Sequence, residues 1–272
     1  MSATQTETVL ITGASSGIGL ELAKCFAADG CRLILVARST DALETLAKEL
    51  RQTHGIDARV LTADLSLPET PKRIFSELKN AGVAVDVLVN NAGFGSHGLF
   101  AELSLARQIE MLQVNITALT ELTGLFLPGM IQRKCGGILN VGSVAGFQPG
   151  PGMAVYFATK AFVLSFTEAL AAELSDTGIT VSGLCPGSTA TNFGKVARGG
   201  AQRQFKVSVM PAKTVAQEGH DRYRRKKVLT VPGLGNKFII QLLRVMPRML
   251  VRKVVKLFNT RTFVESTATK PD

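Results

Sequence analysis

The sequence predicts an α/β fold, a doubly wound parallel sheet of Rossmann type in a single domain with a C-terminal helical extension. Short apolar runs of strand length alternate with longer segments of helical spacing. Those runs are apolar almost throughout, as strands buried on both faces must be. The first run ends in a glycine-rich turn that opens a helix, as in dinucleotide-binding sheets.

The elements follow in order. Val9-Leu10-Ile11 is the first strand and Leu33-Ile34-Leu35-Val36 the second. Ala58 to Leu61, Val85 to Val89, Ile138 to Val141 and Ile179 to Leu184 supply four more, and Val228 to Val231 a seventh. Ala42 to Gln52 and Phe162 to Leu174 have helical spacing between them. Crossovers between parallel strands are right-handed, which fixes the winding. The expected division is a catalytic domain over 1–235, with a substrate loop at about 188–210, and an extension over 236–272.

Composition narrows the function. Hydrophobic residues make up 46% of the 272, enough for a large core. The net charge of +10 is unevenly placed: residues 1–221 carry 18 Lys/Arg against 19 Asp/Glu, whereas 222–264 carry 12 Lys/Arg and no acid. The basic character therefore belongs to the C-terminal segment and not to the body, and no nucleic-acid motif accompanies it, so no nucleic-acid partner is expected. Cys25, Cys31, Cys135 and Cys185 are scattered without metal-ligand spacing, so no metal site is expected. Reduced thiols and a polar start without an apolar leader predict a cytoplasmic location.

The chemistry lies in two places. Gly13, Gly17 and Gly19 give the first turn a G-x-x-x-G-x-G spacing, so that Gly13, Ser15, Ser16, Gly17, Ile18 and Gly19 can cradle a pyrophosphate at a helix N-terminus. The same turn reads G-x-S-x-G over 13–17, a serine-hydrolase elbow with His220 far downstream, and this is a competing reading. Tyr156 and Lys160 stand four residues apart and share a helix face, with Ser143 thirteen residues before Tyr156. An ammonium beside a phenol favours the phenolate, so Lys160 is expected to lower the Tyr156 pKa and make a general acid/base. The second strand ends Val36-Ala37-Arg38-Ser39 without an acid. A carboxylate there would select NAD, whereas Arg38, helped by Ser39 or Ser15, suits the 2′-phosphate of NADP.

Taken together, these residues resemble the short-chain dehydrogenases/reductases over about residues 7–192. Asp64-Leu65 is similar to the family's adenine-contacting pair, and Asn90-Asn91-Ala92-Gly93 to its N-N-A-G motif beside the cofactor. Asn115 matches the helix Asn that positions a proton-relay water, and Ser143, Tyr156 and Lys160 match the catalytic set. Pro186-Gly187-Ser188-Thr189-Ala190-Thr191 matches P-G-x-x-x-T, whose backbone and Thr hold the nicotinamide amide. The resemblance implies hydride transfer between NADP(H) and a carbonyl or secondary alcohol. It implies catalysis by Asn115, Ser143, Tyr156 and Lys160, and a cofactor held by the turn, Asn91, Ala92, Gly93, Tyr156, Lys160, Pro186, Gly187, Thr189 and Thr191. It also implies a homodimer or homotetramer joined through the long fourth helix and the helix bearing Tyr156. A catalytically silent nucleotide-binding scaffold is the alternative, one that would need none of the four catalytic residues.

Phe94, Phe147 and Met153 predict an apolar substrate of fatty-acyl, steroid or retinoid type, and the Ala197-Arg198-Gly199-Gly200 loop a lid. In the extension, Asn236 to Phe258 reads as two helices with Pro247 at the start of the second. Arg244, Arg248, Arg252 and Lys256 make a basic stripe beside an apolar surface, too interrupted by charge for a span. Peripheral contact with an anionic membrane is one expectation, and packing on the body with a solvated cationic face is the other.

Overall fold

The computed structural model describes residues 6–191, 193 and 209–267, apart from the side chains of 258–267. Strands β1 (Thr8–Thr12), β2 (Arg32–Ala37), β3 (Ala58–Thr62), β4 (Val87–Asn90), β5 (Gly136–Val141), β6 (Ile179–Leu184) and β9 (Leu229–Thr230) form one sheet in the order β3-β2-β1-β4-β5-β6-β9. Every pairing is parallel. This is the predicted doubly wound sheet, with the seventh strand shortened to two residues. A second ladder, unforeseen from sequence, pairs β7 (Thr189–Ala190) with β8 (Met210–Pro211).

Alternation along each strand divides the core in two. Val9, Ile11, Leu33, Leu35, Val87, Val89 and Leu139 point to one side, where α1 (Gly17–Ala28), α2 (Thr40–His54) and α7 (Ala212–Arg224) cover them with Leu22, Phe26, Leu43 and Tyr223. Leu10, Ile34, Val36, Leu88 and Ile138 point to the other. There α3 (Thr70–Asn80), α5 (Ala118–Arg133) and α6 (Ala154–Glu173) supply Ile74, Leu78, Leu122, Phe126 and Leu170. The strands are apolar on both faces because both faces are covered.

The helix before α5 carries an irregularity. α4 (Leu105–Leu112) passes into α5 through a π-helical turn over Gln113–Thr117, so the chain is wound wider around Asn115. Such turns recur at functional sites. Behind the sheet's carboxyl edge, Asn90 Nδ2 donates to Thr123 Oγ1 at 3.1 Å and to Asn140 Oδ1 at 3.0 Å, and Asn140 Nδ2 donates to Thr167 Oγ1 at 3.0 Å. These buried bonds fix β4 and β5 against α5 and α6. Beyond β9, α8 (Leu234–Val245) and α9 (Arg248–Thr267) meet at Pro247, as the spacing predicts, with α8 beginning two residues earlier than expected.

Candidate active site

The carboxyl ends of β1, β4, β5 and β6 converge, and each is followed by one of the sequence motifs. The order of strands reverses between β1 and β4, where ligands of such sheets bind. At that point three motifs interlock. Asn91 Nδ2 donates to Thr12 O at 2.8 Å and Gly13 O at 3.2 Å, and Thr12 Oγ1 accepts from Asn91 N and Ala92 N, each at 3.0 Å. Gly13 and Gly17 have φ of 66° and 57°. A Cβ on Gly19 would lie 2.3 Å from Gly13 O and 2.4 Å from Asn91 Nδ2, and one on Gly17 would press Thr191 Cγ2 at 3.0 Å. The turn can close only with these glycines in place.

The residues present fit a dinucleotide. Ser16, the N-cap of α1, is exposed and makes no side-chain cap bond, and no acid stands in the first turn. The free N–H groups and the positive end of the helix face the turn, as an anion requires. Arg38 is exposed at the end of β2, and Ser39 caps α2 without using its hydroxyl. Asp64 resists protonation: burial works against it, but two bonds from Ser66 and the nearby Arg38 hold its pKa below the usual value. Leu65 is buried, so only its backbone can face a ligand.

The second half of the site follows β5. Ser143 begins a 3-10 turn (Val144–Phe147), accepts from Ala145 N at 3.1 Å and donates to Pro186 O at 3.4 Å. Tyr156 and Lys160 lie one turn apart on α6, 9% and 6% exposed. Lys160 Nζ donates to Val141 O at 2.8 Å and stands 6.0 Å from the Tyr156 ring centroid. Asn115 Nδ2 donates to Phe94 O and Thr159 Oγ1, both at 3.0 Å, while Asn115 Oδ1 accepts from Phe94 N at 3.1 Å. A Cβ on Gly93 would meet Asn115 Oδ1 at 3.1 Å and Lys160 Nζ at 3.6 Å. Thus Gly93, Asn115, Lys160, Tyr156 and Ser143 share one corner. Thr189 Oγ1 bonds Gly187 O at 3.0 Å, which shapes the loop carrying Thr191 across to Gly17.

Three expectations are corrected. The Tyr156 phenol is not made acidic: burial pushes its pKa up to about 12, with Ser143 offsetting part of the rise. Burial also lowers Lys160 to about 8, against the pull of Cys185. Both groups are buried, and desolvation, which disfavours the charged form, is the largest influence on each. Secondly, His220 takes no part at the glycine turn. Its Nε2 lies 3.0 Å from Asp29 Oδ2 at the C-cap of α1. Ser15 lies at the other end of that twelve-residue helix, roughly 18 Å away along the axis, which removes the hydrolase reading. Thirdly, Phe147 is not among the apolar side chains packed on the cluster that holds Tyr156, and it lines a cavity with Thr230 and Ile240.

Sequence reasoning missed three contacts. Phe193 packs on the Tyr156 ring with centroids 5.2 Å apart, and with Phe94 and Met153 it makes the wall beside the phenol apolar. Arg107 lies over the Phe94 ring, its Cζ 3.9 Å from the centroid. Thr159 holds Asn115; only its place within Y-x-x-x-K hinted at a role. The lid residues 197–200 and most of the loop 188–210 lie outside the described residues.

A helix end open to an anion, a turn that only glycines can close and a buried Ser-Tyr-Lys set at a sheet's switch point define a nucleotide-dependent oxidoreductase. Residues 7–201 match the profile of the short chain dehydrogenase family, and the chain belongs to that family. Sulfoacetaldehyde reductase 2 of Chromohalobacter salexigens is 41% identical over 196 residues, 71% of this chain and 77% of that protein. The 3-oxoacyl-acyl-carrier-protein reductase FabG of Aquifex aeolicus is 32% identical over 200 residues, 74% of this chain and 81% of that one. A short-chain dehydrogenase from Sphingobium yanoikuyae, solved in complex with NADPH, superposes with a TM-score of 0.78 at 34% identity, covering 89% of this chain and 97% of that one.

Proposed function

We propose that the protein is an NADP(H)-dependent reductase of a carbonyl, or dehydrogenase of the corresponding secondary alcohol, on an apolar substrate. The observation that carries this reading is the burial of Ser143, Tyr156 and Lys160 in one corner beside the open N-terminus of α1. The nicotinamide supplies the hydride. In the reducing direction Tyr156 donates its phenolic proton to the substrate oxygen, and a pKa raised to about 12 keeps that proton in place at neutral pH. Ser143 donates a hydrogen bond to the same oxygen, where negative charge develops. Lys160, about 8, carries its charge at neutral pH and steadies the phenolate left behind. Asn115 is pinned on three sides and holds the water that links Lys160 to solvent.

Arg38 supports NADP over NAD, since an exposed guanidinium at the end of β2 matches a 2′-phosphate and β2 itself ends without a carboxylate. Phe94, Met153 and Phe193 support an apolar substrate, and the FabG relative supports a 3-oxoacyl group as its reacting end. Leu105, Ile109 and Phe162, exposed on α4 and α6, support a homodimer formed through those helices. The four free thiols suit a reducing cytoplasm. The basic helices α8 and α9 give the enzyme a peripheral contact with an anionic membrane.

The test is a panel of long-chain ketones, 3-oxoacyl thioesters and steroid ketones with NADPH or NADH, followed by nicotinamide absorbance. Oxidation of NADPH by apolar carbonyls, with NADH at least tenfold poorer, is expected. NADPH binding without oxidation anywhere in the panel would make the protein a scaffold.

A further inference from the structure

The described C-terminal helices present an apolar face to water. Among the described residues, eight of the seventeen exposed large hydrophobic side chains fall between Leu234 and Leu257. Leu234, Phe238 and Val245 are 83%, 71% and 78% exposed. At 3.6 residues per turn, Leu234, Phe238, Leu242 and Val245 fall within one sector of about 80° on α8. Asn236, Ile240 and Leu243, which are less exposed, lie on the opposite side, toward the body. Lys237 and Arg244 fall on the flank between the two faces. Met249 and Leu250 carry the exposed apolar surface into α9, beside Arg248, Arg252 and Lys253.

The position of α8 gives this face meaning. It packs on the 3-10 turn that Ser143 begins. Asn236 stands against the cofactor loop, so that a Cβ on Gly187 would lie 2.5 Å from Asn236 Nδ2. Ile240 and Arg244 line a cavity with Phe147, the last residue of that turn. The outward apolar face thus lies on an element that directly braces the corner holding Ser143.

We infer that α8 and α9 lie in the interface of an anionic bilayer, holding the mouth of the active site against the lipid so that apolar substrate enters from the membrane. The inference rests on the reductase reading for its substrate, and names where that substrate comes from. An anionic lipid surface matches both parts of the feature: headgroups meet the cations and acyl chains accept Phe238 and Val245. A second copy docked on the same face would bring its Lys and Arg against these, with no acid between 222 and 264 to offset them. A nucleic acid would use the cations and leave the apolar sector in water. Lys237 keeps a 3.5 Å ion pair with Glu218, which ties the flank to the body.

The experiment uses the full chain with vesicles of phosphatidylcholine alone or mixed with phosphatidylglycerol, at low and high salt. Co-sedimentation with the mixed vesicles at low salt, weakened at least tenfold on neutral vesicles, is expected, and high salt should weaken it too. Phe238→Asp with Val245→Asp should lower vesicle affinity at least tenfold. The same variant should reduce a short, water-soluble ketone at the unaltered rate, which shows that it is folded. Mixed vesicles should raise turnover of a long-chain ketone severalfold in the unaltered protein and not in the variant. Failure to bind mixed vesicles at low salt overturns the inference, as does equal binding by the variant or long-chain turnover indifferent to vesicles. Salt-insensitive self-association through the helices in place of vesicle binding overturns it in favour of a second copy. Vesicle binding by a protein that oxidises no NADPH would retain the docking surface and sink the reductase reading instead.

Discussion

The glycine turn and the tyrosine corner sit at the same edge of one sheet and are built by opposite means. Around Gly13 and Asn91 the polar atoms are spent on one another: Thr12, Asn91 and Ala92 close a small lattice of bonds near 3 Å. Around Tyr156 the phenol is enclosed by Phe94, Met153 and Phe193, and its ionisation is opposed by burial. The first region is a rigid mould for a ligand; the second keeps a proton in a dry place until a substrate oxygen arrives. Precision comes from satisfied bonds in one and reactivity from desolvation in the other.

The comparison breaks most readily at the tyrosine. Tyr156→Phe keeps the ring packing and removes the proton, so turnover should fall at least 100-fold, about 2.7 kcal/mol of barrier. NADPH affinity, measured by fluorescence titration, should change little, because the mould is untouched. Near-normal turnover would end the assignment of Tyr156 as the acid. On the other side, Gly19→Ala forces a methyl against Gly13 O and Asn91 Nδ2. NADPH affinity should drop more than tenfold and the urea midpoint should fall by the equivalent of about 1–3 kcal/mol. Unchanged affinity would show that the turn is looser than its contacts imply. Arg38→Ala touches neither region's packing, so its effect should be confined to choice of nucleotide: about tenfold weaker NADPH binding with NADH within twofold. Equal losses for both would remove Arg38 as the selector.

The smallest effect separates the regions by pH. Lys160 is lowered from 10.5 to about 8 in the folded protein, so between those values the unfolded chain binds more protons at this position. Its contribution therefore makes stability rise with pH above 8, by at most about 1.4 kcal/mol per unit. Cys185 acts oppositely above 9, where its raised pKa keeps a proton that the unfolded chain loses. The window from 8 to 9 is thus the one to examine. Lys160→Met should flatten the rise in urea midpoint there relative to the unaltered protein, and Arg38→Ala should not.

Much of the site was legible in the chain. Gly13, Gly17 and Gly19 announce a turn because their need for positive φ or close approach is local. Tyr156 and Lys160 announce a shared face because helical spacing is local too. Legibility ended where distant segments meet. No pattern places Phe193 on the Tyr156 ring, puts Phe147 and Ile240 around one cavity, or winds residues 113–117 into a π turn beneath Gly93. The expected acidification of Tyr156 followed from one neighbour in sequence, whereas its ionisation is set by everything packed around it.

The sequence by itself determined the alternation of strands and helices, the order of motifs along the sheet edge, and the concentration of positive charge beyond residue 221. Each depends on spacing or residue type, which the chain states directly. The tertiary structure decided which side chains are dry. It raised Tyr156, lowered Lys160, sent His220 to the far end of α1, and turned Phe238 and Val245 outward while burying Ile240. Burial is a sum over neighbours distant in sequence, so it exists only once the layers have closed.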